Sequence, residues 1–331
     1  MLSIEELRKL NNSDVDLDEK MEITSKADDY DTYLIKLMQR FNEKIEPEKY
    51  YLSYSGGKDS HFLYWFIKEI LQDNKIKIVG INTYMEHHEI RDRILKNCDI
   101  VLYPSLKPFQ IKEKYGSPCF SKLQDDFIDR YQRGSRCKSI MTRIEGKTFI
   151  GRDGKEHTSS YHLNKKARKL LLSGELHRVS PKCCTFLKKK PAHGFEKETG
   201  LKAILGVRGN ESFMRKSKYQ TCLNKNGKFT PLWDMTDEME NEIYKRYNIE
   251  IPSVYEHITR TGCMGCPYGS YSHDTEKELN LISDSQRKFV CEYFKESYKV
   301  LGIDTNKQLS LDDIKEGEEE NDRKSKPKPP R

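Results

Sequence analysis

Ser55-Gly56-Gly57-Lys58-Asp59-Ser60 is the stretch whose residue types and spacing could do chemistry. It follows a strand-like run, Tyr50-Tyr51-Leu52-Ser53-Tyr54, and precedes a helix-like one from His61 to Ile67. Gly56 and Gly57 have no Cβ, so the backbone can turn sharply and aim several N–H groups at one anion. A helix that starts here points the positive end of its dipole at the same place. Lys58 adds a full charge to the cradle, and Asp59 or Ser60 can accept hydrogen bonds from the first free N–H groups of the helix. The site suits a phosphate or pyrophosphate; the competing reading is a glycine-rich surface turn.

The elements needed to position such a loop are present around it. Tyr33, Leu34, Leu37, Met38, Phe41 and Ile45 fall at helical spacing and predict an amphipathic helix packed on a sheet. Strand and helix then alternate: a strand over 50–54, a helix from Ser60 to about Gln72, a strand over 76–82, a helix over 89–97 and a strand over 100–103. That rhythm predicts an α/β fold, a doubly wound, mainly parallel sheet flanked by helices, with a cysteine-rich helical and loop part toward the C-terminus. Ligands of such sheets sit at the carboxyl ends of the strands, which places the glycine loop, Asn82-Thr83 and Pro104-Ser105 on one edge.

The loop is not a Walker motif, because its glycines are adjacent and Asp59 follows the lysine. It resembles the PP-loop of the ATP pyrophosphatase superfamily, the adenine nucleotide α-hydrolases. The resemblance implies either cleavage of ATP between the α and β phosphates, with Mg²⁺, or binding of an already adenylated sulfate.

A second group follows another predicted strand, over 202–207: Leu205-Gly206-Val207-Arg208-Gly209-Asn210-Glu211-Ser212, with Arg215 one turn beyond. Arginine's planar fork suits phosphate or sulfate, and the glycines allow close backbone approach. With Pro231-Leu232-Trp233-Asp234 and Ile251-Pro252-Ser253-Val254-Tyr255 downstream, this is similar to the PAPS reductase branch of the superfamily. That likeness implies a nucleotide site using Ser55, Gly56, Gly57, Lys58, Asp59, Ser60, Asn82, Arg208, Glu211 and Arg215, with Lys58, Asp59, Arg208 and Cys222 as candidate catalytic residues. A surface pairing of Arg208 with Glu211 is the plainer alternative.

The third group is made of cysteines. Cys263-Met264-Gly265-Cys266-Pro267 is a C-x-x-C turn on which two thiolates can reach one metal or cluster. Alone it leaves zinc, redox and iron–sulfur chemistry open, along with buried structural thiols. Cys183-Cys184 would complete four thiolates, and this combination resembles the iron–sulfur-dependent PAPS reductases, which implies a [4Fe–4S] cluster, with zinc as second choice. Adjacent helical cysteines point about 100° apart, so Cys222 competes for the fourth position or acts as a sulfur-carrying thiol. Cys98, Cys119, Cys137 and Cys291 show no spacing logic. His87-His88 reads as ordinary polar capping rather than a metal pair.

Totals bound the rest. The chain has 331 residues, of which 34% are charged, a net charge of +7 and nine cysteines. No run approaches the ~20 apolar residues of a membrane helix. The acidic start, Met1-Leu2-Ser3-Ile4-Glu5-Glu6, lacks an apolar leader, so a cytoplasmic location is expected, where thiols serve metal, redox or sulfur chemistry before disulfides. Residues 1–45 are expected as a polar arm and helix, 46–300 as the PP-loop domain with an insertion or flexible excursion over 134–160, and 301–331 as a mostly disordered charged tail. A helix opened by Pro181 is expected to stop at Pro191. Basic residues gather at Arg130, Arg133, Arg136, Lys138, Arg143, Lys165, Lys166, Arg168, Lys169 and Lys188 to Lys190. They could dock a polyanion or form a solvated face.

The resemblance implies an enzyme that activates an acceptor by ATP α–β cleavage for sulfur transfer, with DNA or tRNA as acceptor and a cysteine desulfurase as sulfur donor. Assimilatory reductases carry a catalytic cysteine near the C-terminus, and here no cysteine follows Cys291. A PAPS reductase using an unusual thiol such as Cys222 is the alternative, and a non-catalytic nucleotide-sensing module the third. The enzymatic readings expect the loop and the cysteines to serve one nucleotide.

Overall fold

The computed structural model describes residues 1–146, 148–158, 162–209, 221–258, 261–270 and 274–305. They form two compact units, one of Met1–Ser105 with Lys188–Glu256, the other of Leu106–Leu187 with the chain from His257. Six strands are present among these residues: β1 (Tyr50–Tyr54), β2 (Lys77–Ile81), β3 (Ile100–Leu102), β4 (Thr148–Ile150), β5 (Glu156–Thr158) and β6 (Lys202–Ile204).

In the first unit β3, β2, β1 and β6 form one sheet in that order, and every pairing is parallel. The register sets Tyr51 beside Ala203 and Leu52 beside both Ile78 and Ile204. Alternation along the strands then gives two apolar faces. Tyr51, Val79 and Ala203 pack with Phe195 of the helix Lys190–Thr199. Leu52, Ile78 and Ile204, all fully buried, belong to the opposite face. The helix Asp29–Lys44 buries Leu34, Leu37 and Phe41, and the Phe41 ring meets Phe66 and Phe229 at 5.7 and 5.1 Å between centroids. Apolar side chains on both faces are why the sheet is doubly wound. The chain leaves β1 toward β2 on one side, while β6 pairs on the other. Strand order therefore reverses between β1 and β6, and the loops after these strands flank the crevice this creates.

Several expectations are corrected. The N-terminal stretch is no loose arm: helices Ile4–Asn11 and Leu17–Ser25 are capped by Ser3 and Asp16. Leu2 and Leu7 are buried, and the Leu2 amide donates to the fully buried Asp31 at 3.0 Å. Pro191 does not stop its helix. A π-helical segment, Thr185–Lys189, precedes it, and the proline occupies the first turn of Lys190–Thr199, where no amide donor is required. Within 134–160, Lys138–Glu145 is a helix that buries Ile140 and Ile144, followed by the antiparallel pair β4 and β5. Two buried positions are too few to show as a periodicity. His87 stands at the N-cap position of the helix His88–Asn97, yet its side chain makes no capping bond. The tail from 306 onward lies outside the described residues.

The second unit is mainly helical. Cys119, Phe120, Ile128, Ile140, Ile144, Leu163, Ala167 and Val179 form its core. Asp125, inside the helix Lys122–Gln132, is fully buried and accepts hydrogen bonds from the Cys119 and Phe120 amides at 2.7 and 3.0 Å and from the Tyr268 hydroxyl at 2.7 Å. Removing that acceptor strands three donors, the two amides in buried residues and the Tyr268 hydroxyl in a half-buried one. Asp125→Ala is therefore expected to lower the unfolding free energy by about 3 kcal/mol, read as a shift in denaturant midpoint, with Asp125→Asn losing less.

Candidate anion site and cysteine group

The glycine loop carries out its expected turn with one glycine rather than two. Gly56 has φ +75°, and a Cβ there would fall 2.8 Å from the Ile90 carbonyl oxygen. Gly57 is the N-cap of the helix Lys58–Trp65 in ordinary extended geometry. Ser60 does not cap the helix amides. Its hydroxyl donates to the Gly57 carbonyl at 2.9 Å and accepts from the Ser55 amide at 3.1 Å, cross-bracing the loop. Two tyrosines grip the backbone of Lys58: its amide donates to the Tyr255 hydroxyl at 3.0 Å, and its carbonyl accepts from Tyr244 at 2.6 Å. Glu89 places Tyr255 by accepting from the Ser253 amide and hydroxyl at 2.9 and 3.0 Å. Asn82 is buried after β2, and its side-chain oxygen accepts from the Tyr84 amide at 3.0 Å, closing a turn in which Tyr84 has φ +66°.

The segment after β6 runs directly against the loop. A Cβ on Gly206 would stand 2.8 Å from the carbonyl carbon of Asp59 and 2.9 Å from the Ser60 nitrogen. This contact brings Arg208 into the site. Arg208 Nε lies 2.7 Å from Asp59 Oδ1, an ion-pair distance at an angle too oblique for a hydrogen bond. Its Nη1 donates to Asp237 and stands 3.4 Å from Glu240 Oε2. Burial opposes the guanidinium charge, but Asp59, Glu240 and Asp237 outweigh it and hold the group firmly protonated. Lys58 Nζ is 2.8 Å from Glu240 Oε2, an ion-pair contact, and Glu240 is fully buried. Burial and then the charge of Asp59 push the Glu240 carboxyl up to about 7, against the opposing pull of Arg208 and Lys58.

The site thus joins Lys58, Asp59 and Arg208, as the residue types suggest, and adds Asp237, Glu240 and Tyr244. These three lie at i, i+3 and i+7 of the helix Asp237–Arg246, whose N-cap is Thr236. A glutamate on the buried face of an amphipathic helix was the available signal. Glu211 and Arg215 lie outside the described residues, as do Asn210 and Arg260.

Cys222 belongs to the first unit, half-buried, its carbonyl accepting from the Thr230 amide at 2.6 Å. The other four candidate cysteines belong to the second unit. Cys183 is buried, and its hydrogen bond with Cys184, then burial, then the charges of Cys184, Cys266 and Cys263 push its thiol well up. Gly265 supplies φ +57° to the C-x-x-C turn, and its carbonyl accepts from the Tyr298 hydroxyl. Among the described residues no three Cys, His, Asp or Glu side chains stand in ready metal-binding geometry. One atom nevertheless fits a bound sulfur group: the Tyr293 hydroxyl, in a residue 1% exposed, has no hydrogen-bond partner among the described residues. After burial, the charges of Cys183, Cys263, Cys266 and Cys184 hold this phenol protonated and therefore a donor.

The basic cluster is less open than its count suggests. Arg133 pairs with Asp129 at 2.8 Å, while Arg136 and Arg143 stack over Tyr131 and Phe127 at 3.7 and 4.1 Å from the ring centres.

No protein-family profile matches the chain, and no curated protein does. A solved structure to which it is similar is the phosphoadenylyl-sulfate (PAPS) reductase from Candida auris in its phosphate complex, with a TM-score of 0.39 and 12% identity, covering 80% of this chain and 96% of that chain. Likeness at that level carries no argument about site or activity. The geometry itself defines a doubly wound α/β unit with the glycine loop and Lys58 at its switch point. No helix among the described residues is long and apolar enough to cross a membrane.

Gly206→Ala must push the Asp59–Ser60 peptide aside, at a cost of about 1–3 kcal/mol. Chemical denaturation should show the unfolding free energy lowered by about that amount, with the circular dichroism of the fold retained. Tyr293→Phe removes an unpaired buried hydroxyl and is expected to raise the melting temperature of the metal-free protein. That gain should shrink after anaerobic iron–sulfide loading if the hydroxyl meets a cluster sulfur.

Proposed function

We propose that the chain is a PP-loop enzyme that binds an adenine nucleotide with Mg²⁺ and splits ATP to AMP and pyrophosphate, activating an acceptor for sulfur transfer. The observation that carries this is the approach of Gly206 to the Asp59–Ser60 peptide, which sets Arg208 beside Lys58 across the strand-order switch. In that reading Gly56, Lys58 and the start of the helix hold the departing pyrophosphate, stabilising the charge that develops on it. Arg208 holds the remaining phosphate, and the loop's brace through Ser55 and Ser60 keeps the donors fixed.

Cys183, Cys184, Cys263 and Cys266 would hold the [4Fe–4S] cluster, or zinc. Bound iron–sulfur would supply a route for sulfur or electrons. The orphaned Tyr293 hydroxyl and the soft donor set support that reading, and Cys222 is the candidate sulfur-carrying thiol in the unit that contains the loop. The acceptor we propose is nucleic acid, DNA or tRNA, with a cysteine desulfurase as donor and the cytoplasm as location.

Anaerobically reconstituted protein should release pyrophosphate from ATP, and Lys58→Ala should reduce that rate on the order of 10²-fold. Sulfite formed from PAPS, with no pyrophosphate from ATP, would move the assignment to a phosphoadenylyl-sulfate reductase. Tight nucleotide binding with neither product would leave a nucleotide-sensing module.

A further inference from the structure

Lys58, the cation of the loop, is already occupied. Its Nζ stands 2.8 Å from Glu240 Oε2, and Arg208 Nη1 stands 3.4 Å from the same oxygen. Among the described residues, the charged and titratable groups facing Glu240 are Lys58 and Asp59 from the loop helix, Arg208 from the segment after β6, and Asp237 and Tyr244 from its own helix. Tyr255, on the Lys58 amide, completes the surroundings. Among the described residues, and with every acid ionised, Asp59, Asp237 and Glu240 set three negative charges against the two positive charges of Lys58 and Arg208. These groups by themselves do not attract a polyanion through their summed charge.

For Lys58 to reach a phosphate it must leave Glu240. The carboxylate then stays fully buried, short of one of its two cationic neighbours. A buried carboxylate in that condition neutralises rather than remain charged. We infer that Glu240 is a proton-accepting counter-ion of the anion cradle: a bound polyphosphate takes Lys58 from it, and Glu240 takes up one proton from solvent. The balance is simple, since one ion pair is exchanged for another and the uncovered carboxylate becomes a carboxylic acid.

Glu240 starts from about 7 in the free protein, where Lys58 is one of the groups holding it down. Losing that restraint moves it higher, so uptake is expected between the free and the bound values, from about pH 7 upward. As pH rises through this window the bound state must hold a proton the free state lacks, and affinity falls, by up to about tenfold per pH unit. Below about pH 6 the proton is already in place and the dependence disappears.

This inference rests on the loop being a polyphosphate site, and one experiment separates the two. The full chain is titrated with α,β-methylene-ATP in excess Mg²⁺, which keeps the ligand fully ionised, by calorimetry at pH 8 in two buffers of different ionisation enthalpy. Uptake approaching one proton per nucleotide is expected in the natural protein, and about none in Glu240→Gln, whose affinity should be flat with pH. Binding without proton uptake in the natural protein, or uptake kept in Glu240→Gln, overturns the role of Glu240 and leaves the phosphate reading intact. No binding at any pH overturns both. Because the natural protein alone can decide it, the test survives a variant that fails to fold.

Discussion

The contact on which the first unit depends is backbone against backbone. The chain leaving β6 passes so near the start of the loop helix that Gly206 has no room for a Cβ beside the Asp59–Ser60 peptide. Parallel pairing of β1 with β6 makes the approach possible, because it brings the carboxyl ends of both strands to one edge. The absence of a side chain makes it close. Arg208 reaches Asp59 as a result, and the ion pairs around Glu240 follow from that placement.

Most of this was legible in the residues. The strand over 50–54 has the bounds its composition suggests, and the alternation from 50 to 103 reads correctly as a parallel α/β sheet. The helix Asp29–Lys44 announces itself through five apolar positions at one spacing, with the sixth, Ile45, just past its end. What was hidden has a common cause: it depends on partners distant in sequence. Glu240 reads as one more acid in an acidic helix until Lys58 and Arg208 are brought to it. Tyr244 carries no signal of its own and Tyr255 enters only within the stretch 251–255, and the fold shows that both hold the Lys58 backbone. Ser60 looked like a helix cap, and the loop uses it instead as an internal brace.

Local rules failed where a compensating geometry was available. Proline normally ends a helix by lacking a donor and crowding the preceding turn. At Pro191 the wider π-helical turn before it removes both objections, and the helix runs on to Thr199. Leu2 and Leu7 sit among too many polar neighbours to show a period, yet each is buried, and Asp31 secures the chain start. In both stretches the tertiary setting outweighs a weak sequence signal.

The C-x-x-C turn has a property of its own. Gly265 adopts its left-handed conformation without strain, and the helix Asp284–Leu301 holds the turn through the Tyr298 hydroxyl on the Gly265 carbonyl. The bend between Cys263 and Cys266 is thus set by glycine and tyrosine. A Cβ at position 265 would collide with the Tyr298 hydroxyl, so any side chain there would break the keying of the turn to the helix.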